Sequence, residues 1–387
     1  MNMQGNATGD VPGRVRAFVS GFDKPVLLAT LGLLAYGLVV IYSASLTIAD
    51  ASLPRQALGV LLGLVAMGVF YRYDYRRLRD MAKPLFVIDC ILMILPIVPG
   101  LSYASHGMSG WIQIPGIGLT MQTAELGKPI TILLMASLAS RYGGTIDRLG
   151  DYLRLCAVLA VPFGLILLQP DLGTGLVILL SGAVVIVFAG PRRSWVIATL
   201  AIIAALVVGI VVNSLYGGSH ALLQQYQVNR LLVFMNPSAD TSGSGYNLQQ
   251  SLIAVGSGGV LGKGIGNATQ AGMGFLPEAH TDFVFALQAE EFGFVGSALL
   301  IGLFALLVIG TIRVAMRCES LFGQLVCVGI AVMWTFQTFE NIGMCLSLMP
   351  ITGIPLPFIS YGSSSMVTQL LTVGLVHSVA AHQTKAG

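Results

Sequence analysis

Charge is what this sequence has least of. Only 10% of its 387 residues are Asp, Glu, Lys or Arg, where soluble proteins average about 25%, so soluble domains, a coiled coil and a disordered chain are all excluded. A net charge of +3 offers no basic surface to a nucleic acid. Cysteine is scarce as well. Cys90, Cys156, Cys318, Cys327 and Cys345 are odd in number, lie in or beside apolar runs and show no C-x-x-C spacing, which excludes a disulfide framework and a zinc site. The first 20 residues are polar, so the apolar run that follows them reads as a retained anchor rather than a cleaved leader.

What is abundant is apolar sequence: 55% hydrophobic residues and 47 glycines, with a mean hydropathy of +0.82. A hydrocarbon core of roughly 30 Å demands runs of about 20 apolar residues, because unpaired backbone amides are not tolerated there. Ten windows qualify, at about 25 to 44, 56 to 71, 84 to 99, 125 to 140, 154 to 168, 172 to 190, 194 to 215, 283 to 312, 321 to 346 and 363 to 381. With the N-terminus inside, 16 of the 20 Lys and Arg residues fall in inside segments, as the bias of basic residues toward cytoplasmic loops requires. The expectation is an all-α polytopic membrane protein with ten transmembrane helices. Residues 1–24 form a cytoplasmic tail, 25–381 a single membrane domain and 382–387 a second cytoplasmic tail.

The polar sequence collects on the outer side, in loops at 100–124 and, between helices seven and eight, at 216–282. Loops this long are usually functional. The longer one carries Tyr226, Phe234, Tyr246 and Phe275, and its segments 222 to 235 and 247 to 255 have helical spacing suited to the interface.

Candidate chemistry lies along these loops. Phe275-Leu-Pro-Glu-Ala-His-Thr-Asp-Phe283 places Glu278, His280 and Asp282 at the outer end of a span. A carboxylate among apolar neighbours loses hydration, and its pKa rises toward values useful for a general base. The plain alternative is that Asp282 caps the next helix. Glu290 and Glu291 follow about two turns into that span, either extending a polar groove or serving as structural carboxylates. Gln169 to Thr174 forms a tight turn in which Asp171 either caps a helix or touches substrate. Ser360 to Ser365 is a second outer turn, its serines better placed to cap than to attack. Trp111 suits the interface, and Gln122, Glu125 and Lys128 recur at i, i+3 and i+6, so Lys128 either binds phosphate or pairs with Glu125. The run Gly256 to Gly264 is not a phosphate loop, since Ser257 and Gly264 stand where Gly and Ser or Thr are required. It reads as a flexible loop that leaves Lys263 available to an anion and implies no nucleotide.

Taken together these motifs resemble the SEDS family of bacterial cell-wall glycosyltransferases. The match is carried by Tyr226 through Arg230, Asn236-Pro237, Gly245-Tyr246 with Gln250-Ser251, Gly258 through Gly264, and Phe275-Leu-Pro-Glu278 with Thr281-Asp-Phe283, over about residues 25 to 380. Asn341-Ile-Gly-Met344 and Gly353-Ile-Pro-Leu-Pro357, with short termini, resemble the elongation branch more than the division branch. The resemblance implies polymerisation of lipid II on the outer face of the bacterial inner membrane, with a class B penicillin-binding protein and other elongation-complex membrane proteins as partners. By the same resemblance Asp282 matches the essential aspartate, and Gln122, Glu125 and Lys128 match a Gln-x-x-Glu-x-x-Lys element. Departures are Thr123-Ala124 for the usual Pro-Ser, Gly110 for Arg, a missing second Arg near 120, and Ser363 for Gly. Asp282 is expected to take the acceptor proton, with a divalent cation (Mg or Mn) or Lys128 offsetting the leaving group's charge. Substrate contacts are expected from Trp111, Gln122, Glu125, Lys128, Asp171, Lys263, Glu278, His280 and Ser360. Two rival readings stand beside this one, a flippase for the lipid-linked precursor and a scaffold for a transpeptidase.

Overall fold

The computed structural model describes residues 21–98, 102–105, 108–113, 120–216, 233 and 243–382. Segment 222 to 235, apart from Val233, and the motif residues Tyr226 to Arg230 and Asn236-Pro237 lie outside them. Each of the ten apolar windows falls on a helix: α1 Lys24–Thr47, α2 Leu53–Arg72, α3 Ala82–Ile94, α4 Thr123–Ala139, α5 Leu149–Leu167, α6 Leu172–Phe188, α7 Arg193–Tyr216, α10 Val284–Arg317, α11 Leu321–Cys345 and α12 Ser363–Ala381. Seven of these (α1, α2, α5, α7, α10, α11 and α12) are long and apolar enough to cross a membrane. The others are shorter, 13 residues in α3 and 17 in α4 and α6. Between α7 and α10 lie α8 Ser244–Gly258, which contains the expected helical segment 247 to 255, and the single turn α9 Thr269–Gly272.

Local chemistry sets the helix starts. Asp23 caps α1 by accepting from Val26 N at 3.2 Å, with Pro25 in the first turn, where its missing N–H costs nothing. Glycine sets the closest packing. A Cβ on Gly59 or Gly63 of α2 would stand 2.9 Å from Ser363 Cα and 2.5 Å from Leu370 Cδ1 of α12, and one on Gly374 would meet Met67 O at 2.5 Å. Small residues of this kind let membrane helices touch backbone to backbone. In contrast, α7 has no buried residue in its apolar window; an all-apolar surface suits lipid. Among the described residues the named strands form one antiparallel sheet, β1 Ser102–Ser105, β2 Met108–Gln113 and β3 Thr120–Gln122, which pairs Trp111 with Gln122.

The Gly-rich run turns out to be a fixed part of the bundle, contrary to the flexible loop expected. Helix α10 breaks at Gly293 (φ 63°, ψ −159°), which separates Glu290 O and Glu291 O from the amides of Phe294 and Val295 that would normally pair with them. The segment 259–264 fills this gap. Lys263 N and Gly264 N donate to Glu290 O and Glu291 O at 3.0 and 2.9 Å, while Phe294 N and Val295 N donate to Gly259 O and Val260 O at 2.9 and 3.1 Å. Irregular backbone is tolerable in a membrane domain only when paired in this way. The glycines are a steric requirement, since a Cβ on Gly258 would lie 2.0 Å from Ala289 O and one on Gly262 (φ +80°) 2.1 Å from Glu291 O.

Side chains fasten the same joint, so Glu290 and Glu291 are structural carboxylates rather than walls of a groove. Glu290 Oε1 accepts from Lys263 Nζ at 2.5 Å and from Thr269 N and Oγ1 at 3.0 and 2.8 Å. Glu291 Oε1 accepts from Ser43 Oγ at 2.5 Å and from Gly266 N at 3.3 Å. Gly262→Ala is expected to destabilise the protein by about 3 kcal/mol through backbone strain and the clash. Gly256→Ala, helical and with open space at its Cβ, is expected to gain up to about 1 kcal/mol. Thermal unfolding in detergent checks the pair; equal effects would contradict the joint.

Candidate active site

Four helices begin around one small cavity. Gln122 is the N-cap of α4, Asp171 of α6, Phe283 of α10 and Gly362 of α12. The cavity, about 120 Å³, is lined among others by Gln122, Asp171, Thr281, Asp282, Gly362 and Ser364. A helix N-terminus presents unpaired amides and roughly half a positive charge, so four of them favour negative charge in this space, where no described lining residue is Lys or Arg. Gly173 makes the convergence possible: a Cβ there would lie 2.9 Å from Thr352 O and 2.9 Å from Ile354 Cγ1. Asp171 Oδ1 accepts from Thr174 N at 2.9 Å as a side-chain cap, and its Oδ2 accepts from Gln122 Nε2 at 3.1 Å.

Asp282 is held through the backbone before it. The turn is closed by Glu278 at φ +54°, whose carbonyl accepts from Thr281 N and Phe283 N at 3.2 and 3.1 Å. The next carbonyls are each caught by a side chain or amide from the far end of the chain. His280 O accepts from Tyr361 N at 2.9 Å, Thr281 O from Ser360 Oγ at 2.7 Å and Asp282 O from Asn341 Nδ2 at 2.7 Å. Asn341, fully buried, also donates to Ile354 O at 2.8 Å. This brings Gly353 (φ +77°) so close that a Cβ on it would lie 3.2 Å from Asp282 Oδ2. Gln56, buried in α2, grips the opposing turn by donating to Ser360 O at 3.2 Å and accepting from Gly362 N at 3.0 Å.

Of the residues singled out in the sequence, Trp111, Gln122, Asp171 and Asp282 therefore share one cavity. Glu278 and His280 line a second cavity of about 490 Å³ on the other side of the same turn. Glu125 and Lys128 pair at 2.5 Å with both side chains 1% exposed, so the pairing alternative is the one the structure realises. Lys263 lines neither cavity and is tied to Glu290. Ser360 Oγ is committed to backbone, accepting from Leu356 N at 2.8 Å, and the cap of α12 is Gly362 rather than a serine. Burial raises the Asp171 carboxyl above its ordinary value, with the Thr174 contacts opposing; burial lowers the His280 imidazole, with Glu278 and Asp50 opposing. Among the described residues no group of three His, Cys, Asp or Glu side chains is arranged to hold a metal ion.

The FtsW/RodA/SpoVE family, described as "Cell cycle protein", matches residues 24–385. The chain belongs to this family. The "Probable peptidoglycan glycosyltransferase FtsW" of Coxiella burnetii is 36% identical over 370 residues, covering 93% of this chain and 96% of that protein. "Stage V sporulation protein E" of Bacillus subtilis is 35% identical over 369 residues, covering 93% and 97%. Among solved structures, a chain described under "Structural coordination of polymerization and crosslinking by a peptidoglycan synthase complex" aligns with a TM-score of 0.77 at 31% identity, covering 94% and 99%. The rod shape determining protein RodA of Thermus thermophilus aligns with a TM-score of 0.67 at 29% identity, covering 94% and 98%.

Gln56 drew no notice in the sequence, and Asn341 and Gly353 entered only through the family resemblance, with no role at the site. The available signals were a Gln in the first turn of an apolar span and a Gly within a Pro-rich outer turn. Asp171→Ala removes the cap and is expected to cost about 1 kcal/mol, while Asp171→Asn, which still caps, costs little. Because the folded carboxyl is raised, the native state binds its proton more tightly than the unfolded chain, so this group's contribution to stability falls as pH rises through the carboxylate range. Unfolding midpoints across that range, with Asp171→Asn removing the dependence, check both statements.

Proposed function

We propose that the chain is a peptidoglycan glycosyltransferase that polymerises lipid II, with Asp282 as general base. The observation that carries this reading is the placement of the Asp282 carboxylate, fixed by three backbone contacts, in a cavity ringed by four helix N-termini. Asp282 accepts the proton of the acceptor GlcNAc 4-hydroxyl as that oxygen attacks the anomeric carbon of the donor MurNAc. The bond from that carbon to the pyrophosphate oxygen breaks, the electron pair leaves with undecaprenyl pyrophosphate, and the configuration inverts. Negative charge grows on the leaving group, and the converging helix dipoles are the feature suited to receive it. Lys128 contributes through Glu125 and the electrostatics behind Asp171 rather than by a direct phosphate contact, and no step is routed through a metal.

The setting follows from the same reading: ten membrane crossings, both termini cytoplasmic, the Asp282 cavity on the outer face of the bacterial inner membrane. A class B penicillin-binding protein is the partner, in keeping with the synthase complex to which the fold aligns. An elongation role like that of RodA rests on Gly353-Ile-Pro-Leu-Pro357. Division is the competing role, favoured by the relatives named FtsW. Rescue of rod shape in cells depleted of their elongation polymerase is expected; rescue of septation alone would favour division.

Asp282→Asn leaves the backbone contacts of the turn in place and removes the carboxylate. With purified lipid II and a partner whose transpeptidase is blocked, glycan polymerisation is expected to fall by about 10² to 10⁴-fold, the usual contribution of a general base. Polymerisation near the wild-type rate would overturn the assignment and leave transport or scaffolding as the function.

A further inference from the structure

We propose that the larger cavity, across the Glu278–Asp282 turn from the reacting carboxylate, is a glycan subsite that takes an uncharged N-acetylated sugar adjoining the bond being formed. The inference rests on the glycosyltransferase reading above. Size is the first argument. The Asp282 cavity, at about 120 Å³, is smaller than the roughly 300–1,000 Å³ of ordinary ligand sites, so a sugar substrate must extend beyond it. The neighbouring cavity, at about 490 Å³, lies within that range.

Continuity is the second argument. Glu278, Ala279 and His280 line the larger cavity, and the next two residues, Thr281 and Asp282, line the smaller. Tyr361 bridges them: it lines the smaller cavity, its amide holds His280 O, and its ring stands 5.4 Å from the His280 ring.

Chemistry selects the ligand. His280 is 7% exposed and its Nδ1 is buried with no hydrogen-bond partner, an arrangement that costs free energy unless a ligand or water completes it. Burial keeps the imidazole neutral near neutral pH, so one ring nitrogen donates and the other accepts. Asp50 and Glu278 add carboxylates that accept from hydroxyls, and Leu276 and Met273 add apolar surface for a sugar face. Among the described residues that line it, none is Lys or Arg. Here the carboxylates stand beside the C-terminal end of α1, at Thr47 and Ile48, where the helix dipole is negative, unlike the helix N-termini around the smaller cavity, so the sugar rather than the phosphate end of the substrate belongs here.

The test uses the full chain in detergent and chitotetraose, a neutral chain of four β-1,4-linked GlcNAc residues, as probe in a direct titration. Chitotetraose is expected to bind the wild type and Asp282→Asn alike. Asp50→Asn, an exposed position where misfolding is not at issue, and His280→Asn should each weaken binding by about tenfold, the loss of a hydrogen bond to a charged or buried group. Absent binding, binding indifferent to Asp50→Asn and His280→Asn, or binding abolished by Asp282→Asn would each overturn the subsite. Should those results coincide with loss of polymerisation in Asp282→Asn, the subsite falls and the glycosyltransferase reading stands; polymerisation by Asp282→Asn would overturn both.

Discussion

Three consecutive carbonyls, those of His280, Thr281 and Asp282, are held by Tyr361 N, Ser360 Oγ and Asn341 Nδ2 at 2.9, 2.7 and 2.7 Å. Each contact spans from 59 to 81 residues of sequence and reaches from the start of α10 to α11 or the turn before α12. A carboxylate on an outer loop would otherwise sample many positions, and orientation is worth a large share of a catalytic barrier. Here the loop is fixed from behind, through backbone, which leaves the Asp282 side chain on the cavity side. Gln56 then fixes the fixing turn, and Gly353 and Gly173 allow the remaining elements to close around it.

The same economy of charge recurs elsewhere in the fold. A chain with few ionisable groups places Glu290 and Glu291 deep in α10, where they bind the 263–270 segment to a broken helix, and buries Lys128 against Glu125. Removing one partner of such a buried pair leaves an uncompensated charge, so these residues can be indispensable without touching substrate. Whatever favours an anion in the cavity comes instead from helix ends, which need no side chain and no extra desolvation. The rigid joint at Gly293 and the pinned turn at 278–282 lie on one helix, so loop, helix start and carboxylate are parts of a single rigid arrangement.

Much of this was legible in the residues. Each of the ten apolar windows falls on a helix, and seven of these helices have the length and polarity that a hydrocarbon core imposes. The crowding of Glu278, His280 and Asp282 draws attention to this turn because acids and histidines are scarce here, and the turn lies between the two cavities' linings. Three features were not legible. Asn341 and Gln56 look like ordinary polar residues in apolar spans, since their partners stand 59 and 304 positions away. The glycines of 256–264 suggest mobility until the break at Gly293 supplies the backbone groups they pair with. Spacing leaves Lys128 equally open to phosphate and to Glu125, and only packing shows its amine paired with Glu125. Sequence periodicity identifies elements; it does not disclose which distant backbone groups are left wanting partners.

The most direct test of the account is a cryo-electron microscopy structure of the Asp282→Asn chain, with its penicillin-binding partner, bound to lipid II. The account predicts the acceptor 4-hydroxyl within about 2.6–3.2 Å of the residue 282 side chain, and the donor pyrophosphate among the N-termini of α4, α6, α10 and α12. An acceptor hydroxyl remote from position 282, or a pyrophosphate seated on Lys128 after separation of its pair with Glu125, would contradict it.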